Sequence, residues 1–300
     1  MIITNKLNLP EGFVKAVSTE KHNAEGSLSA TTLIHGIKEI ILTDRYWDSL
    51  EDDVSDRIWA IWGQAVHSLL ESEGENDFTE QPMSYKVGDI IVTGRIDNYD
   101  MKHGVIADYK TAPVIKVKLG NFSEWHSQGM IYGWLLTKNN FLAKHCRFIT
   151  LLKDHSKTEV LRDSQYPKSP VYIYEFPITK QGLFRTGIFI RNKVEEHKRC
   201  LMLKDNDIPP CTPKERWDRP PVFAVMKSGQ KRAVRLFKKR EEADLLASVK
   251  GENHYVEYRK GESVKCSSYC LCKHYCNFYQ DFVVSANSAS NEDDCEQSVA

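Results

Sequence analysis

Residues 89–112, DIIVTGRIDNYDMKHGVIADYKTA, decide how the rest of the chain reads. Two β-rich runs, DIIVTGRIDNYD and GVIADYKTA, flank a turn near Met101–Gly104 and predict a β-hairpin. Side chains alternate across a strand, so Asp108 and Lys110 share one face while Tyr109 points away. Asp97, on the partner strand, can reach that same face. Two carboxylates at hairpin range, with an ammonium beside them, can hold a divalent cation such as Mg²⁺, which takes oxygen ligands. Asp-x-Lys by itself more often marks a surface ion pair on a hairpin, so the stretch has to be read with its neighbours.

Upstream, SATTLIHGIKEIILT (29–43) predicts a helix with Ser29 or Thr31 near its N-cap. Residues 52–72 predict a longer helix. Val54, Ile58, Ile61, Trp62, Ala65, Val66 and Leu69 recur there at three- and four-residue intervals as one apolar stripe. Gly63, His67 and Glu71 are spaced by four and lie along one side of it. Gly costs a helix about 1 kcal/mol against Ala, so Gly63 implies a close backbone approach. His67 is either a hydrogen-bonded core residue or a ligand, and Glu71 either a metal-site residue or a surface acid. MSYKV (83–87) reads as a strand. Downstream, SEWHSQGMIYGWLLT (123–137) predicts a helix capped by Ser123, with the polar tips of Gln128 and Tyr132 four residues apart. HCRFITLLK (145–153) and VYIYEFPI (171–178) read as strands and residues 180–203 as a helix. The alternation is that of an α/β fold.

The chain has 300 residues, 41% of them hydrophobic and 27% charged, with 41 basic against 41 acidic. That excludes collagenous, bulk-disordered and small disulfide-scaffold classes. The charge is unevenly placed. Asp44–Glu80 holds eleven acidic residues against Arg45 and Arg57, and Lys214–Arg240 holds ten basic residues against Glu215 and Asp218. Such polarity fits either a polyanionic partner or solvated charged faces. No stretch approaches the roughly 20 apolar residues of a membrane span, and MIITNKLNLPEG lacks the apolar core of a signal peptide. The expectation is a cytoplasmic protein without membrane partners.

Pro209, Pro210, Pro213, Pro220 and Pro221 then punctuate the chain. VFAVMK, KRAVRLF, KREEADLLASVK and HYVEYRK predict a small β-β-α-β unit over about 222–260. Its basic residues include Lys231, Arg232 and Arg235, which suit phosphate neutralisation. Tyr255 and Tyr258 are candidates for base stacking, and a solvated hairpin and helix is the alternative. Cys266, Cys270, Cys272 and Cys276 follow within eleven residues. In a reducing compartment such a cluster points to a metal, and soft sulfur ligands suit zinc or an iron–sulfur cluster. The expected domains are 1–208, 209–283 enclosing the 222–260 insertion, and a polar, acidic tail at 284–300 expected to be disordered.

Taken in order, Gly-x-x-x-His-x-x-x-Glu on a helix, Asp in a strand, Asp-Tyr-Lys in the next strand and Gln-x-x-x-Tyr on a helix resemble the RecB-like branch of the PD-(D/E)xK nuclease superfamily, over roughly residues 29–206. The resemblance implies a restriction-endonuclease-like α/β core, a mixed central sheet flanked by helices. It also implies a Mg²⁺- or Mn²⁺-dependent deoxyribonuclease, an exonuclease acting on DNA ends in recombination, repair or phage DNA processing. It implies His67, Asp97, Asp108 and the Tyr109 backbone carbonyl as metal ligands, and Lys110 as the residue that positions water and stabilises charge. Gln128 and Tyr132 would support the site and contact DNA. The partners implied are DNA and a recombination or single-strand-binding protein. A catalytically silent DNA-binding or assembly subunit is the alternative. Some members, the CRISPR-adaptation exonuclease and the AddB nuclease among them, carry a [4Fe-4S] cluster on one distant and three C-terminal cysteines. Here the set would be Cys211, Cys266, Cys270 and Cys276, with structural Zn²⁺ as the alternative. The x3 spacing before Cys270 and the absence of a cysteine in residues 1–60 depart from that pattern. Cys272 is the competing fourth ligand.

Overall fold

The computed structural model describes residues 1–18, 26–72 and 82–284, and the chain divides into two units, residues 1–203 and 204 onward. In chain order the first unit holds β1 (Ile2–Thr4), α1 (Glu11–Val17), β2 (Ser27–Ser29), α2 (Ala30–Leu33), α3 (Ile37–Arg45), β3 (Glu51–Asp53) and α4 (Ile58–Ser72). Then come β4 (Pro82–Val87), β5 (Ile90–Arg95), β6 (Asn98–Asp100), β7 (Val105–Ala112), α5 (Val114–Leu119) and α6 (Ser123–Lys138). β8 (His145–Leu152), α7 (Lys157–Arg162), β9 (Val171–Pro177) and α8 (Lys180–Leu201) complete it.

Local chemistry sets several boundaries that periodicity misplaces. The helix expected over 29–43 is two. Ser29 caps α2 by accepting the Thr32 N–H at 3.1 Å, and Gly36, in extended conformation, starts α3. The helix expected from residue 52 begins at Ile58 because Asp53 is engaged elsewhere. Its carboxylate accepts from the Ser55 hydroxyl (2.7 Å) and N–H (3.0 Å), the Thr4 hydroxyl (2.7 Å) and the Lys6 N–H (3.0 Å). An aspartate that binds turn amides competes with helix, and residues 51–53 instead pair in parallel with β1. α6 starts after Phe122, so Ser123 is its first residue and not its cap.

The central sheet has the order β6-β7-β8-β9. β7 and β8 run parallel, and β6 and β9 pair antiparallel to their neighbours, so the sheet is mixed. A second sheet has the order β2-β5-β4. The hairpin predicted over 89–112 is therefore divided: β5 belongs to one sheet, β6 and β7 to the other. The chain crosses between them at Ile96–Asp97. The fold is α/β, a mixed central sheet with helices packed on it.

α6 supplies much of the core: Trp125, Met130, Ile131, Trp134, Leu135 and Leu136 are all buried. It lies on the sheet through Gly129, where a Cβ would meet Cys146 Sγ at 2.5 Å and Phe148 Cε2 at 3.1 Å. α8 packs on α6 and α3. The α4 stripe is only partly buried. Trp62 is 52% and Leu69 68% exposed, because α4 leans on α1 and β7 through a narrow strip. A Cβ at Gly63 would meet Thr111 Oγ1 there at an ordinary 3.7 Å, so α4 does not need glycine to approach β7. No helix among the described residues is long and apolar enough to cross a membrane.

In the second unit, β10 (Asp218–Arg219) pairs with β14 (Glu262–Ser263). Between them lie β11 (Val222–Lys227), β12 (Arg235–Phe237), α9 (Arg240–Lys250) and β13 (His254–Arg259), with α10 (Val264–Ser268) following. The sheet order is β12-β11-β13. Val225, Ala243 and Ala247 form its buried centre, with Phe223, Phe237, Leu246 and Val256 packed around them. The tail from 285 onward lies outside the described residues.

Candidate active site

β6 and β7 pair Asn98 with Ala107, so the next register position sets Asp97 opposite Asp108. Two carboxylates are thus brought together where the chain bends out of one sheet into the other. Asp108 is 1% exposed. Its burial pushes the carboxyl above the ordinary carboxylate range. The Lys110 ammonium opposes that shift, and the nearby Asp97 charge adds to it. Lys110 Nζ stands 2.6 Å from Asp108 Oδ2, so the buried carboxylate is ion-paired to that ammonium.

Asp97 is buried as well, and its Oδ2 accepts the Tyr109 N–H at 2.7 Å. Within a strand the N–H and C=O of one residue face the same neighbour, so the Tyr109 carbonyl looks toward the Asp97 side. His67 comes from α4. Its Nδ1 lies 3.5 Å from Asp97 Oδ2, and its ring meets Tyr109 edge-on at 6.2 Å. The contact with Asp97 raises the imidazole pKa, and burial opposes it. His67, Asp97, Asp108, Tyr109 and Lys110 are thus neighbours. The side chain of Glu71 lies outside the described residues.

Gln128 and Tyr132 are spent on each other. Gln128 Nε2 donates to Tyr132 Oη at 2.7 Å, and both residues are about nine-tenths buried or more. Burial, then the Asp108 charge, holds the Tyr132 phenol well above its usual pKa. The Tyr132 ring packs on Gly94 of β5, where a Cβ would come within 3.1 Å. The pair is buried close enough to the carboxylates for both their charges to act on Tyr132.

Some residues of this region escaped the sequence reading. Lys110 Nζ sits over the Phe148 ring at 5.6 Å, and Phe148 pairs in register with Asp108. Trp125 stacks on Phe148, and Phe122, Tyr172 and Tyr174 continue outward from it. The signal was the alternation of aromatics at 172, 174 and 176 within VYIYEF.

In the second unit, Cys266 is half-buried and its thiol is pushed up to about 12, first by burial and then by the neighbouring Cys270, Cys211 and Cys276. Cys270, Cys211 and Cys276 are thus each near enough to act on Cys266. Cys272 is buried, with its Sγ 3.5 Å from that of Cys270. Among the described residues no three His, Cys, Asp or Glu side chains already stand at single-ion ligand spacing. The stem around the cysteines has its own ties. Arg216 forms an ion pair with Asp218 (2.6 Å) and donates to the Cys211 carbonyl. Ser263 donates to Asp218 at 2.7 Å. Lys231, Arg232 and Arg235 are exposed. Tyr255 and Tyr258 cannot line one stacking surface, because three positions along a strand puts them on opposite faces; Tyr258 packs on Phe223 at 5.3 Å.

The sequence matches no family profile and no curated protein. Among solved structures, SSO0001 is similar over 63% of this chain and 82% of its own, at 18% identity and a TM-score of 0.39. LHK-Exo, an alkaline exonuclease from Laribacter hongkongensis, is similar over 64% and 93%, at 10% identity and a TM-score of 0.38. A phage related exonuclease from Haemophilus somnus 129PT is similar over 55% and 80%, at 10% identity and a TM-score of 0.36. At such scores the functional reading has to rest on this chain's own side chains.

Proposed function

We propose that this chain is a divalent-metal-dependent deoxyribonuclease of the RecB-like PD-(D/E)xK type, hydrolysing phosphodiester bonds at DNA ends. The observation that carries the reading is Asp108 Oδ2. It is a buried carboxylate oxygen held against one ammonium, with a second buried carboxylate and an imidazole beside it. Two buried carboxylates that share a single ammonium suit a further cation. The donor set, carboxylate oxygens, a carbonyl and one imidazole nitrogen, fits Mg²⁺ or Mn²⁺. His67, Asp97, Asp108 and the Tyr109 carbonyl would hold it. A divalent cation there supplies Lewis-acid polarisation of the phosphoryl oxygen.

The chain's own residues do the rest. Lys110 carries three N–H donors beside Asp108. It orients the attacking water in line and neutralises charge as it grows on the phosphoryl oxygens. Asp97 fixes His67 from one side and the Tyr109 amide from the other, which keeps the ligand positions rigid. The buried Gln128–Tyr132 pair supports this floor from α6.

Cys211, Cys266, Cys270 and Cys276 form the second part of the proposal, as ligands of a [4Fe-4S] cluster, with Zn²⁺ as the competing occupant. The influence of Cys270, Cys211 and Cys276 on the Cys266 thiol supports that set. Such a group would lock a small polar lobe by metal–thiolate bonds. Exposed Lys231, Arg232 and Arg235 would add salt-dependent phosphate contacts.

The test is digestion of 5′- and 3′-labelled linear DNA beside circular single- and double-stranded DNA, with Mg²⁺ or Mn²⁺ and with EDTA. Cleavage of linear DNA by the wild type, lost with EDTA and reduced about 100-fold or more in Asp108→Ala and Lys110→Ala, is expected. Folded protein that binds DNA but never cleaves it is the result that replaces the enzyme by a silent binding subunit.

A further inference from the structure

The register of the central sheet places more than the catalytic pair on its working face. Asp108 of β7 pairs with Phe148 of β8, and Phe148 with Tyr174 of β9. One step along, Lys110 pairs with Thr150, and Thr150 with Tyr172. Side chains in such rows share a face, so Tyr174 and Tyr172 stand two strands from Asp108 and Lys110, about 10 Å away.

The rings along these rows form a continuous stack. Trp125 lies on Phe148 at 5.7 Å and 17°. Phe122 lies on Trp125 at 5.3 Å and 30°, on Tyr174 at 4.6 Å and 22°, and on Tyr172 at 5.5 Å and 17°. The inner rungs, Phe148 and Trp125, are buried. The outer ones, Phe122, Tyr172 and Tyr174, are partly exposed. Lys110 closes the inner end over Phe148, and Lys116 Nζ lies 5.4 Å over Trp125. In the floor between Lys110 and Tyr172, Thr150 Oγ1 is fully buried and has no hydrogen-bond partner.

We propose that the partly exposed rings of Tyr172 and Tyr174, backed by Phe122, form a stacking subsite for an unpaired nucleobase of the strand being cut. This rests on the nuclease reading and adds the residues that would hold that base. Phe122 is taken up by Trp125 and both tyrosines, and Tyr172, stacked on Phe122, carries the flat apolar area left for the face of a base. The ammoniums of Lys110 and Lys116 lie along the same stack, where a backbone would run. About 10 Å from the carboxylates is the reach of a nucleotide near the scissile phosphate. A base inside a duplex has both faces covered by its neighbours, so only a splayed or single-stranded one can join the stack.

The experiment uses full-length protein in EDTA and an oligonucleotide carrying 2-aminopurine, single-stranded or annealed. Wild type should quench the single-stranded probe on binding and leave the duplex little changed. Tyr172→Leu should weaken single-strand binding about tenfold, within the range of one base–ring stack. Tyr172→Phe should bind as wild type, and Tyr172→Trp should quench more deeply. Circular dichroism checks the fold. If the leucine variant is misfolded, the phenylalanine–tryptophan comparison decides. Equal binding by a folded Tyr172→Leu, no deeper quenching by Tyr172→Trp than by Tyr172→Phe, or no quenching by wild type overturns the subsite. Ring-dependent quenching in a protein that cuts no DNA with Mg²⁺ or Mn²⁺ leaves the subsite standing and removes the nuclease reading.

Discussion

Replacing Gly129 by alanine tests how tightly α6 is seated over β8 and β9. The new Cβ would lie 2.5 Å from Cys146 Sγ, 2.9 Å from Phe176 Cζ and 3.1 Å from Phe148 Cε2. Cys146 and Phe148 are 0% exposed and Phe176 8%, so none has open space to retreat into. Overpacking of this kind costs about 1–3 kcal/mol, and exchanging glycine for alanine within a helix returns about 1 kcal/mol. A net loss of up to about 2 kcal/mol lowers Tm by up to about 8 °C for a unit of this size. Because Phe148 underlies Lys110, cleavage should fall as well. Thermal unfolding followed by circular dichroism gives the stability, and a cycle with Cys146→Ala isolates the contact. With Sγ removed, Gly129→Ala should cost at least about 1 kcal/mol less than in wild type. A rise in Tm for Gly129→Ala, or strict additivity in the cycle, refutes the close seating of α6.

Gly63→Ala should raise stability by up to about 1 kcal/mol, since its Cβ meets Thr111 Oγ1 at only 3.7 Å; a lower Tm in a denaturation scan would restore the close-approach reading. Asp53 has its carboxyl pKa lowered, first by the Ser55 hydroxyl and then by Lys6 and Thr4. Its contribution is therefore fully present above the ordinary carboxylate pKa and is lost as pH falls below that range. Asp53→Asn should destabilise the protein at pH 7 and narrow toward wild type at strongly acid pH, and a pH-independent difference would reject the linkage. Anaerobically purified protein should contain about four irons per chain and absorb near roughly 400 nm. Cys211→Ser should lose both while Cys272→Ser keeps them, and the opposite pattern moves the fourth ligand to Cys272. One stoichiometric zinc in colourless protein would assign the four-cysteine site to Zn²⁺ instead.

The candidate catalytic residues were legible in the sequence because strand periodicity is local. Asp108 and Lys110 share a face by alternation, and a short turn returns the chain so that Asp97 can meet them. The β-β-α-β order over 222–260 was legible for the same reason, each element being short, patterned and bounded by turn residues. Boundaries were less legible where a side chain bound a distant group. Asp53 takes donors from Thr4 and Lys6, nearly fifty residues away, and no window around residue 52 contains them. The exposure of the α4 stripe was hidden too, because periodicity tells which residues share a side of a helix and not how much of it the neighbours cover.

Only tertiary structure decided what surrounds the site. It set Asp97 at a bend between two sheets, turned Gln128 and Tyr132 onto each other, and drew Cys211 to the cluster fifty-five residues further on. It also brought Phe122, Phe148 and Tyr172 into one stack. That stack depends on the register across β7, β8 and β9, which is fixed by pairing strands far apart in the chain and by the face each buries under α6. A local pattern can specify which way a side chain points; which other side chain it meets is settled when the sheet closes its ladders.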